Sequence, residues 1–338
     1  MYKTFLRFAL AVKPVLQRIS VRTSPDTDGK SFPCGNYFLS QGQKTEVHAP
    51  GFLEIAEQFR LNSALTCAVY GDTMNSFPPV CGIVAEYNPF HSGHRFHIER
   101  TREMLGEHTM IVCAMSGNFV QRGDFALLDK YARAEMAVRG GADLVLELPL
   151  AAALSSAEGF AQGAVALLYG IGCRYLSFGA EIADISLVQQ AAEALNALPP
   201  AAGNRSGLSY AAYRQQELAA LNPAAAALLA SPNNTLGIEY CRALRDFPMQ
   251  PLAVARRGAG HDEAAPADGF ASASLLRGYL REGGEERCAP YLPESSIEVW
   301  RREKARGAAP VTLPEGAMLT LLRAALFRGA LATGSADG

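Results

Sequence analysis

The sequence predicts an α/β fold built on a parallel sheet with helices on both faces. From residue 80 onward, short and almost wholly apolar runs alternate with longer segments that have a helical pattern of apolar residues. Strands are predicted at 80–85, 110–114, 144–148 and 175–178, and helices at 95–105, 128–139, 157–169 and 185–195. Strands that are apolar throughout are typical of a parallel sheet buried on both faces. Ligands of such sheets bind beyond the carboxyl ends of the strands, so we expect the site there.

The remainder of the chain is patterned less strongly. Residues 1–73 show little periodicity, and we interpret them as an N-terminal extension, with a small separate domain as the alternative. Met74 precedes the first apolar run and looks like the start of the folded unit. The alanine-rich stretch 200–245 predicts helices broken by prolines, 251–256 predicts one more strand, and 272–281 predicts a helix. The pattern weakens after Cys288.

Composition and charge exclude several classes of protein. The 338 residues are 49% hydrophobic and 19% charged, as expected of a globular protein with a sizeable core. The formal net charge of -2 excludes a strongly basic nucleic-acid binder at the level of the whole chain, although a local basic face remains open.

Sequence features also bear on the compartment. No apolar stretch approaches the roughly 18 residues that span a bilayer, and Lys3, Arg7 and Lys13 interrupt the apolar start, so we expect neither a membrane protein nor a signal peptide. The 7 cysteines are widely spaced and include no CxxC pair, which favours a reducing, cytoplasmic compartment over a disulfide framework or a zinc ribbon.

The most informative segment follows the first predicted strand. There a proline-containing loop leads into His91-Ser92-Gly93-His94, which opens a predicted helix. Two imidazoles three residues apart can face one ligand at a helix N-terminus, where backbone N–H groups and the helix dipole favour phosphate oxygens. Gly93 would let a nucleotide approach the backbone. Paired histidines are also ordinary surface or core residues, so the motif depends on this strand-loop-helix setting.

Longer motifs make the interpretation specific. They are GIVAEYNPFHSGHRFH, MSGNFVQRGDFALLDKYARAEMA, GADLVLELP, FGAE, SPNNTLGIEY, ARRGAG and SASLLR. In this order and spacing they resemble the bacterial tRNA(Met) cytidine acetate ligases, a family of HIGH-type nucleotidyltransferases. The resemblance covers about residues 74–285. It implies a Rossmann-like parallel-sheet nucleotidyltransferase domain with a helical C-terminal region.

The same resemblance implies a division of the chain into four parts. After the extension 1–73, residues 74–200 form the Rossmann-like nucleotide-binding core. Residues 201–285 form a helical segment and the remainder of the ATP site, and residues 286–338 form an incomplete C-terminal region. The family usually continues with a further helical region that helps to hold tRNA.

The activity that the resemblance implies is ATP-dependent activation of acetate to acetyl-adenylate. The acetyl group then passes to N4 of the wobble cytidine of elongator tRNA(Met). We expect ATP as substrate, with Mg²⁺ carried by ATP and no dedicated metal site, because no HExxH motif or carboxylate cage is present. The sequence does not predict an oligomeric state.

Site residues follow from the same match. His91 and His94 correspond to the signature histidines and are expected to stabilise the α-phosphate. The expected ATP-binding residues are Val84, Ala85, Glu86, Tyr87, Asn88, Pro89, Phe90, His91, Ser92, Gly93, His94, Arg95, Phe96, His97, Gly179, Asn233, Arg256 and Arg257. For two of these residues a structural role is the alternative to ATP binding: Gly179 could be a turn glycine, and Asn233 could be a helix N-cap.

Further polar residues follow the second and later strands. Asn118, Gln121, Arg122 and Asp124 are interpreted as a wall for substrate or acetate. Asp129 and Arg133, on the helix that also carries Lys130, are spaced to share one helix face; a role in the site and a surface i,i+4 ion pair are equally open. Ser274 and Arg277 resemble a serine-arginine motif that closes phosphate sites, or else a helix cap and a solvent-exposed arginine.

Two other functions remain open from the sequence. One is adenylyl transfer to a phosphorylated metabolite, which uses the same pair of histidines; the long MSGNFVQRGD and PNN segments disfavour it. The other is a truncated protein that binds nucleotide or RNA without turnover. Arginines in the C-terminal third could contact tRNA phosphates or form solvated helix faces. They are at positions 242, 245, 256, 257, 277, 281, 301, 302 and 306.

Overall fold

A central sheet organises the structure. The computed structural model describes residues 20–21, 37–40, 78–198, 210–257, 269–312 and 323. The strands in these residues are β1 (Ser20–Val21), β2 (Tyr37–Ser40), β3 (Val80–Ala85), β4 (Met110–Ser116), β5 (Leu144–Leu148), β6 (Tyr175–Ala180) and β7 (Gln250–Ala255). They lie in the order β1-β2-β5-β4-β3-β6-β7. Neighbouring strands are parallel except for the antiparallel pair β1 and β2.

The register brings the carboxyl ends of the long strands to one edge. Ala85 pairs with Met115, Ser116 with Leu148, and Ala180 with Ala255. Because each of these pairs lies at the last residues of its strands, the loops that follow β3, β4, β5, β6 and β7 emerge side by side. The expected site therefore corresponds to the end of the sheet at which these five loops meet.

Helices connect and cover the strands. They are α1 (Ser92–Leu105), α2 (Lys130–Arg139), α3 (Leu150–Ala153), α4 (Ala157–Gly170), α5 (Ile185–Ala197), α6 (Tyr210–Leu221), α7 (Pro223–Leu228), α8 (Pro232–Ala243), α9 (Ala273–Arg281), α10 (Glu285–Cys288) and α11 (Glu294–Ala305). Several begin at a polar side chain that accepts a backbone N–H of the first turn, as Asp129 does for α2 and Ser272 for α9. In the described residues no helix is both long and apolar enough to cross a membrane.

Apolar residues cover both faces of the sheet. On one face Val112 and Ala114 of β4 belong to a core with α4, α5 and α8. On the other face Ile111, Cys113 and Met115 belong to a core with α1, α2, α9 and α11. Alternate residues of the same strand thus serve opposite cores. The predicted α/β fold with a parallel sheet between two helical layers is confirmed.

Two regions differ from the prediction. The patterning indicates no strand before residue 80, yet β2 pairs with β5 at the sheet edge. Edge pairing uses backbone groups, which any sequence carries, so an apolar pattern is not needed to form it. Apart from β1 and β2, the predicted extension 1–73 lies outside the described residues, and so does Met74, the expected start of the folded unit. After Cys288, α11 forms and buries Trp300, which is only 1% exposed.

Candidate active site

The two histidines of the motif form the N-terminal cap of α1. His91 is the N-cap residue, and its Nδ1 accepts the backbone N–H of Gly93 at 3.0 Å. The backbone N–H of His91 in turn donates to Nδ1 of His94 at 3.2 Å. The two rings stack with centroids 3.7 Å apart. The motif therefore builds a reciprocal cap of the kind that Ser and Glu usually form.

This cap fixes the tautomer of both imidazoles. A backbone N–H can only donate, so the Nδ1 atom that receives it must be unprotonated. Each neutral ring therefore carries its proton on Nε2. His91 and His94 present two N–H donors in parallel rings at the start of a helix, an arrangement suited to an anion.

The surroundings keep both rings neutral. Burial, followed by the positive charges of Arg256 and Arg277, lowers the pKa of His91 to about 3. The pKa of His94 is lowered well below its ordinary value by burial and then by His91, Arg256 and His97. Both histidines are therefore neutral hydrogen-bond donors near pH 7 when no anion is bound.

Two aromatic residues of the preceding loop pack against the ring of His94. The ring of Tyr87 meets that of His94 at a centroid distance of 4.8 Å, and the ring of Phe90 lies at 5.6 Å. Tyr87 has a φ of 46°, a left-handed backbone conformation that is uncommon for a bulky residue, and its hydroxyl contacts Sγ of Cys113 at 3.3 Å. Tyr87 and Phe90, which were expected to contact ATP, are 2% and 0% exposed. Their side chains pack against the buried side of the His94 ring instead.

Gly93 leaves room for the imidazole ring of His91. A Cβ at this position would lie 2.9 Å from Cε1 and 3.0 Å from Nδ1 of the His91 ring. The glycine lets the imidazole fold back over the first turn of α1. This is a different reason for glycine from the nucleotide approach that the sequence suggested.

Asn88 and Glu86 connect the histidine loop to its neighbours. The side-chain oxygen of Asn88 accepts the N–H of Leu127 at 2.7 Å, and its backbone oxygen accepts from Arg277 at 2.9 Å. Oε1 of Glu86 accepts the N–H of Gln121 at 2.9 Å. Pro89 is buried, whereas Val84, Ala85 and Ser92 are half-buried along β3 and the first turn of α1.

His97 is held one turn further along α1. Its Nε2 lies 2.8 Å from Oγ of Ser177, which lies 2.8 Å from Oγ1 of Thr101. The Thr101 hydroxyl donates its single proton to the backbone oxygen of His97, so Ser177 must donate to Thr101 and accept from His97. His97 is therefore also an Nε2–H tautomer, and burial followed by Arg256 lowers its pKa to about 4.

The next two expected residues lie near the ends of β6 and β7: Gly179 is within β6, and Arg256 follows β7. A Cβ on Gly179 would come within 3.3 Å of Cγ of Arg256, so this glycine makes room for the arginine stem. Arg256 lies 3.9 Å from Glu181, whose carboxylate also accepts from the Asn233 amide at 2.5 Å and from the backbone N–H of Asn234 at 3.2 Å. Glu181 thus joins Arg256 and Asn233, and Asn233 is inside α8 rather than its cap.

Two residues near this group differ in exposure. Asn234 is 0% exposed and exchanges hydrogen bonds with the backbone of Ile182 at 3.0 and 2.8 Å, so it anchors α8 to the end of β6. Arg257 is exposed and its guanidinium lies over the ring of Phe96 at 4.9 Å. Arg95 points to solvent, where it pairs with Glu99 at 2.8 Å.

Arg277 brings α9 to the histidine loop. Besides Asn88, it donates to Oγ of Ser274 at 3.1 Å. Burial lowers the pKa of Arg277, and the charges of Arg281 and Arg122 lower it further. Ser272, not Ser274, caps α9. The interpretation of Arg277 as a solvent-exposed arginine is therefore wrong, because it is tied to the loop that carries His91.

The loop after β4 contributes mostly backbone to the site. Oδ1 of Asn118 accepts the N–H of Lys130, so Asn118 helps to cap α2. Gln121 contacts Glu86 through its backbone, and Arg122 and Asp124 are exposed. The loop does lie beside the histidine loop, as its interpretation as a wall requires.

Of the two interpretations of Asp129 and Arg133, the surface ion pair is wrong. Oδ1 of Asp129 caps α2 by accepting the N–H of Ala132 at 2.8 Å. Arg133 is 0% exposed, and its guanidinium donates to backbone oxygens of Glu86, Ser116, Gly117 and Leu128. It points inward because the α2 face that carries it packs against the sheet.

Sequence reasoning missed Glu147 and Glu181 as site residues. Both oxygens of Glu147, near the end of β5, accept from Nζ of Lys130, at 2.8 and 2.6 Å. A Cβ on Gly117 would lie 2.6 Å from Oε1 of Glu147. Both acids belong to sequence motifs at strand ends, which is the signal that could have identified them. Among the described residues, no group of three or more His, Cys, Asp or Glu could hold a metal ion.

Many C-terminal arginines are engaged with acids. Arg301 pairs with Glu285 at 2.5 Å, and Arg302 pairs with Glu135 at 2.7 Å. Others in such pairs are Arg242 and Arg306. Ion pairs of this kind, between helices for Arg301 and Arg302 and within one helix turn for Arg306, leave these side chains less available to phosphates.

Comparison with known proteins gives consistent matches. The sequence matches the HIGH nucleotidyl transferase family over residues 79–333. The tRNA(Met) cytidine acetate ligase of Syntrophotalea carbinolica is 42% identical over 259 residues, which cover 73% of this chain and 60% of that protein. The protein of the same name from Acetivibrio thermocellus is 37% identical over 248 residues, 69% of this chain and 60% of that protein. The chain thus spans about 60% of the length of these relatives.

Solved structures agree in fold. The ligand-free crystal structure of Thermotoga maritima TmcAL is similar with a TM-score of 0.65 and 35% identity, covering 69% of this chain and 58% of that chain. The structure of the same Thermotoga maritima protein bound with alpha-thio ATP gives 0.65 and 34%, covering 73% and 61%.

The lowered pKa values of the histidines predict a pH-dependent stability. The pKa of His91 and of His97 is lower in the folded protein than the value of 6.5 expected in the unfolded chain. The contribution of such a histidine to stability is fully present above pH 6.5, and it is lost as the pH falls toward the pKa in the folded protein. Each such group lowers the free energy of unfolding by up to about 1.4 kcal/mol per pH unit.

Chemical denaturation at pH 7 and at about pH 5, above the range of most carboxylates, measures this effect. The His97→Gln variant, which keeps a donor for Ser177, is expected to lose less stability over this interval than the wild type. Equal losses in both proteins would contradict the neutral state of His97.

Proposed function

The chain belongs to the HIGH nucleotidyl transferase family, and from this premise we propose that it is an ATP-dependent tRNA(Met) cytidine acetate ligase. Acetate and ATP would form acetyl-adenylate and pyrophosphate, and the acetyl group would then pass to N4 of the wobble cytidine of elongator tRNA(Met). The observation that carries this proposal is the pair of Nε2–H donors on His91 and His94 at the start of α1.

The names of the relatives support the substrate. The curated relatives are named tRNA(Met) cytidine acetate ligase, which agrees with the motif resemblance found in the sequence. The TmcAL structure bound with alpha-thio ATP supports ATP as the nucleotide.

In the first step an acetate oxygen attacks the α-phosphorus and the bond to pyrophosphate breaks. Negative charge builds up on the non-bridging and leaving oxygens, so catalysis depends on placing donors and positive charge there. We assign the donors to the two imidazoles, and the positive charge to Arg256 and Arg277. Arg277 donates to the backbone oxygen of Asn88 in the histidine loop, and the stem of Arg256 packs beside Gly179 near the end of β6.

We propose that ATP and acetate bind on opposite sides of β3. Gly179, near the end of β6, and Arg256, after β7, lie on one side of β3, whereas the 118–128 loop follows β4 on the other side. ATP would therefore extend from the histidines toward β7, and acetate would approach from the β4 side. This arrangement allows attack in line with the departing pyrophosphate.

Mg²⁺ would be held mainly by ATP. Of the acids at this edge, Glu147 already accepts from Lys130 and Glu181 from Asn233. Mg²⁺ commonly keeps several waters and binds through substrate phosphates, so the residues present fit an ATP-bound ion better than a protein cage. When bound, the ion would neutralise phosphate charge.

In the second step N4 of cytidine attacks the acetyl carbonyl carbon. A C–N bond forms, the C–O bond to AMP breaks, and N4 loses a proton. The amine is weakly nucleophilic because its lone pair is delocalised into the ring, so positioning matters more than a strong base. We propose that the exposed Arg122 and Arg281, for which no acidic partner is found in the described residues, contact RNA phosphates beside the site.

Acetate-dependent exchange of labelled pyrophosphate into ATP tests the proposed first step. We expect exchange in the wild type and a loss of about 100- to 1000-fold in the His91→Asn and His94→Ala variants, because each removes one donor to the developing charge. Asparagine at position 91 is also a good N-cap, so this variant separates catalysis from capping.

The exposed His108, at the opposite end of the sheet, provides the matched control, and His108→Asn should leave exchange unchanged. Exchange that does not depend on acetate would favour adenylyl transfer to another substrate. Exchange without acetylated cytidine in digested tRNA would favour a protein that stops at acetyl-adenylate.

Salt-dependent tRNA binding tests the proposed RNA contacts. Replacing Arg122 or Arg281 with Gln should weaken binding and reduce the slope of log affinity against log salt by about 1 for each phosphate that is no longer neutralised. Arg301→Gln is the control, because Arg301 is paired with Glu285. If only the control variant weakens binding, the RNA lies on the C-terminal helices instead.

A further inference from the structure

Arg133 is a buried cation whose contacts are all backbone carbonyls. Its Nε donates to the oxygen of Leu128 at 3.2 Å, and one terminal nitrogen donates to Ser116 at 3.1 Å. The remaining contacts are to Gly117 and Glu86. Four acceptors are thus held by one planar group, which a guanidinium can do and an ammonium cannot.

These four carbonyls come from three places around the site. Ser116 and Gly117 precede the 118–128 loop, and Leu128 ends it, so Arg133 grips both ends of that loop. Glu86 follows β3 and precedes the loop to His91. Arg133 therefore joins the wall on the β4 side to the segment that carries the histidines.

The acids nearest to Arg133 are occupied elsewhere. Asp129 caps α2, Glu147 binds Lys130, and Glu86 accepts from Gln121. No salt bridge to Arg133 is found in the part of the chain that the structure describes. Burial lowers the pKa of Arg133 to about 10, which still leaves it protonated at neutral pH.

We propose that Arg133 is a positioning residue that sets the acetate-side wall against His91 and His94. The inference rests on the proposed function and adds to it a residue that governs one substrate in particular. ATP would be placed mainly by α1, β6 and β7, none of which Arg133 contacts; within the 84–97 segment its one hydrogen bond is to the backbone oxygen of Glu86. Acetate has few atoms with which to bind, so its orientation depends on the position of the 118–128 loop that forms the wall.

The test is the kinetics of acetate-dependent pyrophosphate exchange in Arg133→Lys and Arg133→Ala. Displacement of a reacting group by about 1 Å costs on the order of a hundredfold, so kcat/KM for acetate should fall by about that factor. The KM for ATP should stay near the wild-type value. A general loss of folding would not separate the two substrates in this way.

Arg139 provides the matched control. It is on the same helix, and its side chain is 30% exposed and pairs with Glu298 and Glu135. Arg139→Lys and Arg139→Ala should leave the kinetics for both substrates near the wild type.

Chemical rescue separates the guanidinium from mere packing. Ethylguanidinium, which replaces the atoms beyond Cβ, should restore kcat/KM for acetate in Arg133→Ala, and neutral ethylurea should not. If Arg133→Ala does not fold, Arg133→Lys carries the test.

The outcomes distinguish the two proposals. Wild-type kinetics for acetate in Arg133→Lys, or equal losses for acetate and ATP, would overturn the positioning role while leaving the proposed function intact. Absence of acetate-dependent exchange in the wild type would overturn the proposed function and this inference with it.

Discussion

Two backbone N–H groups at the start of α1 determine the chemistry of this edge of the sheet. By donating to Nδ1 of His91 and His94, they cap the helix and leave both Nε2–H groups as outward donors. The same contacts require Gly93, because a side chain there would collide with the His91 ring. Tyr87 and Phe90 pack against His94 from the core. Capping, packing and the proposed catalysis therefore depend on one set of hydrogen bonds.

Charge at the site is divided between neutral imidazoles and fixed guanidinium groups. Burial, with the added positive charge of Arg256 near both rings and of Arg277 near His91, keeps the imidazoles neutral, so the histidines donate hydrogen bonds without adding positive charge. Arg133 lies deeper and acts on the backbone. This division suits adenylation, in which an anionic acetate must approach an anionic phosphate: positive charge lowers repulsion, and aligned donors favour the transition state.

The local pattern of apolar residues predicted most of the fold, because a short stretch of sequence is enough to indicate a buried strand or an amphipathic helix. The strands at 80–85 and 144–148 agree with β3 and β5. The resemblance to tRNA(Met) cytidine acetate ligases is confirmed by the relatives. What pattern could not supply is contact between distant segments. The spacing of Asp129 and Arg133 suggested a surface pair, but burial of Arg133 depends on the ends of β3 and β4. The contacts of Glu181 with Asn233 also join separate parts of the chain.

The tautomers of His91 and His94 test the central claim most directly. Long-range ¹H–¹⁵N correlation spectra of protein labelled with ¹⁵N-histidine, recorded without nucleotide, report the protonation of each ring nitrogen. With signals assigned by single substitutions, both residues should show unprotonated Nδ1 and protonated Nε2 at pH 7, and should remain so at about pH 5. Signals of a protonated Nδ1 in either ring, or titration near the ordinary histidine pKa, would contradict the account.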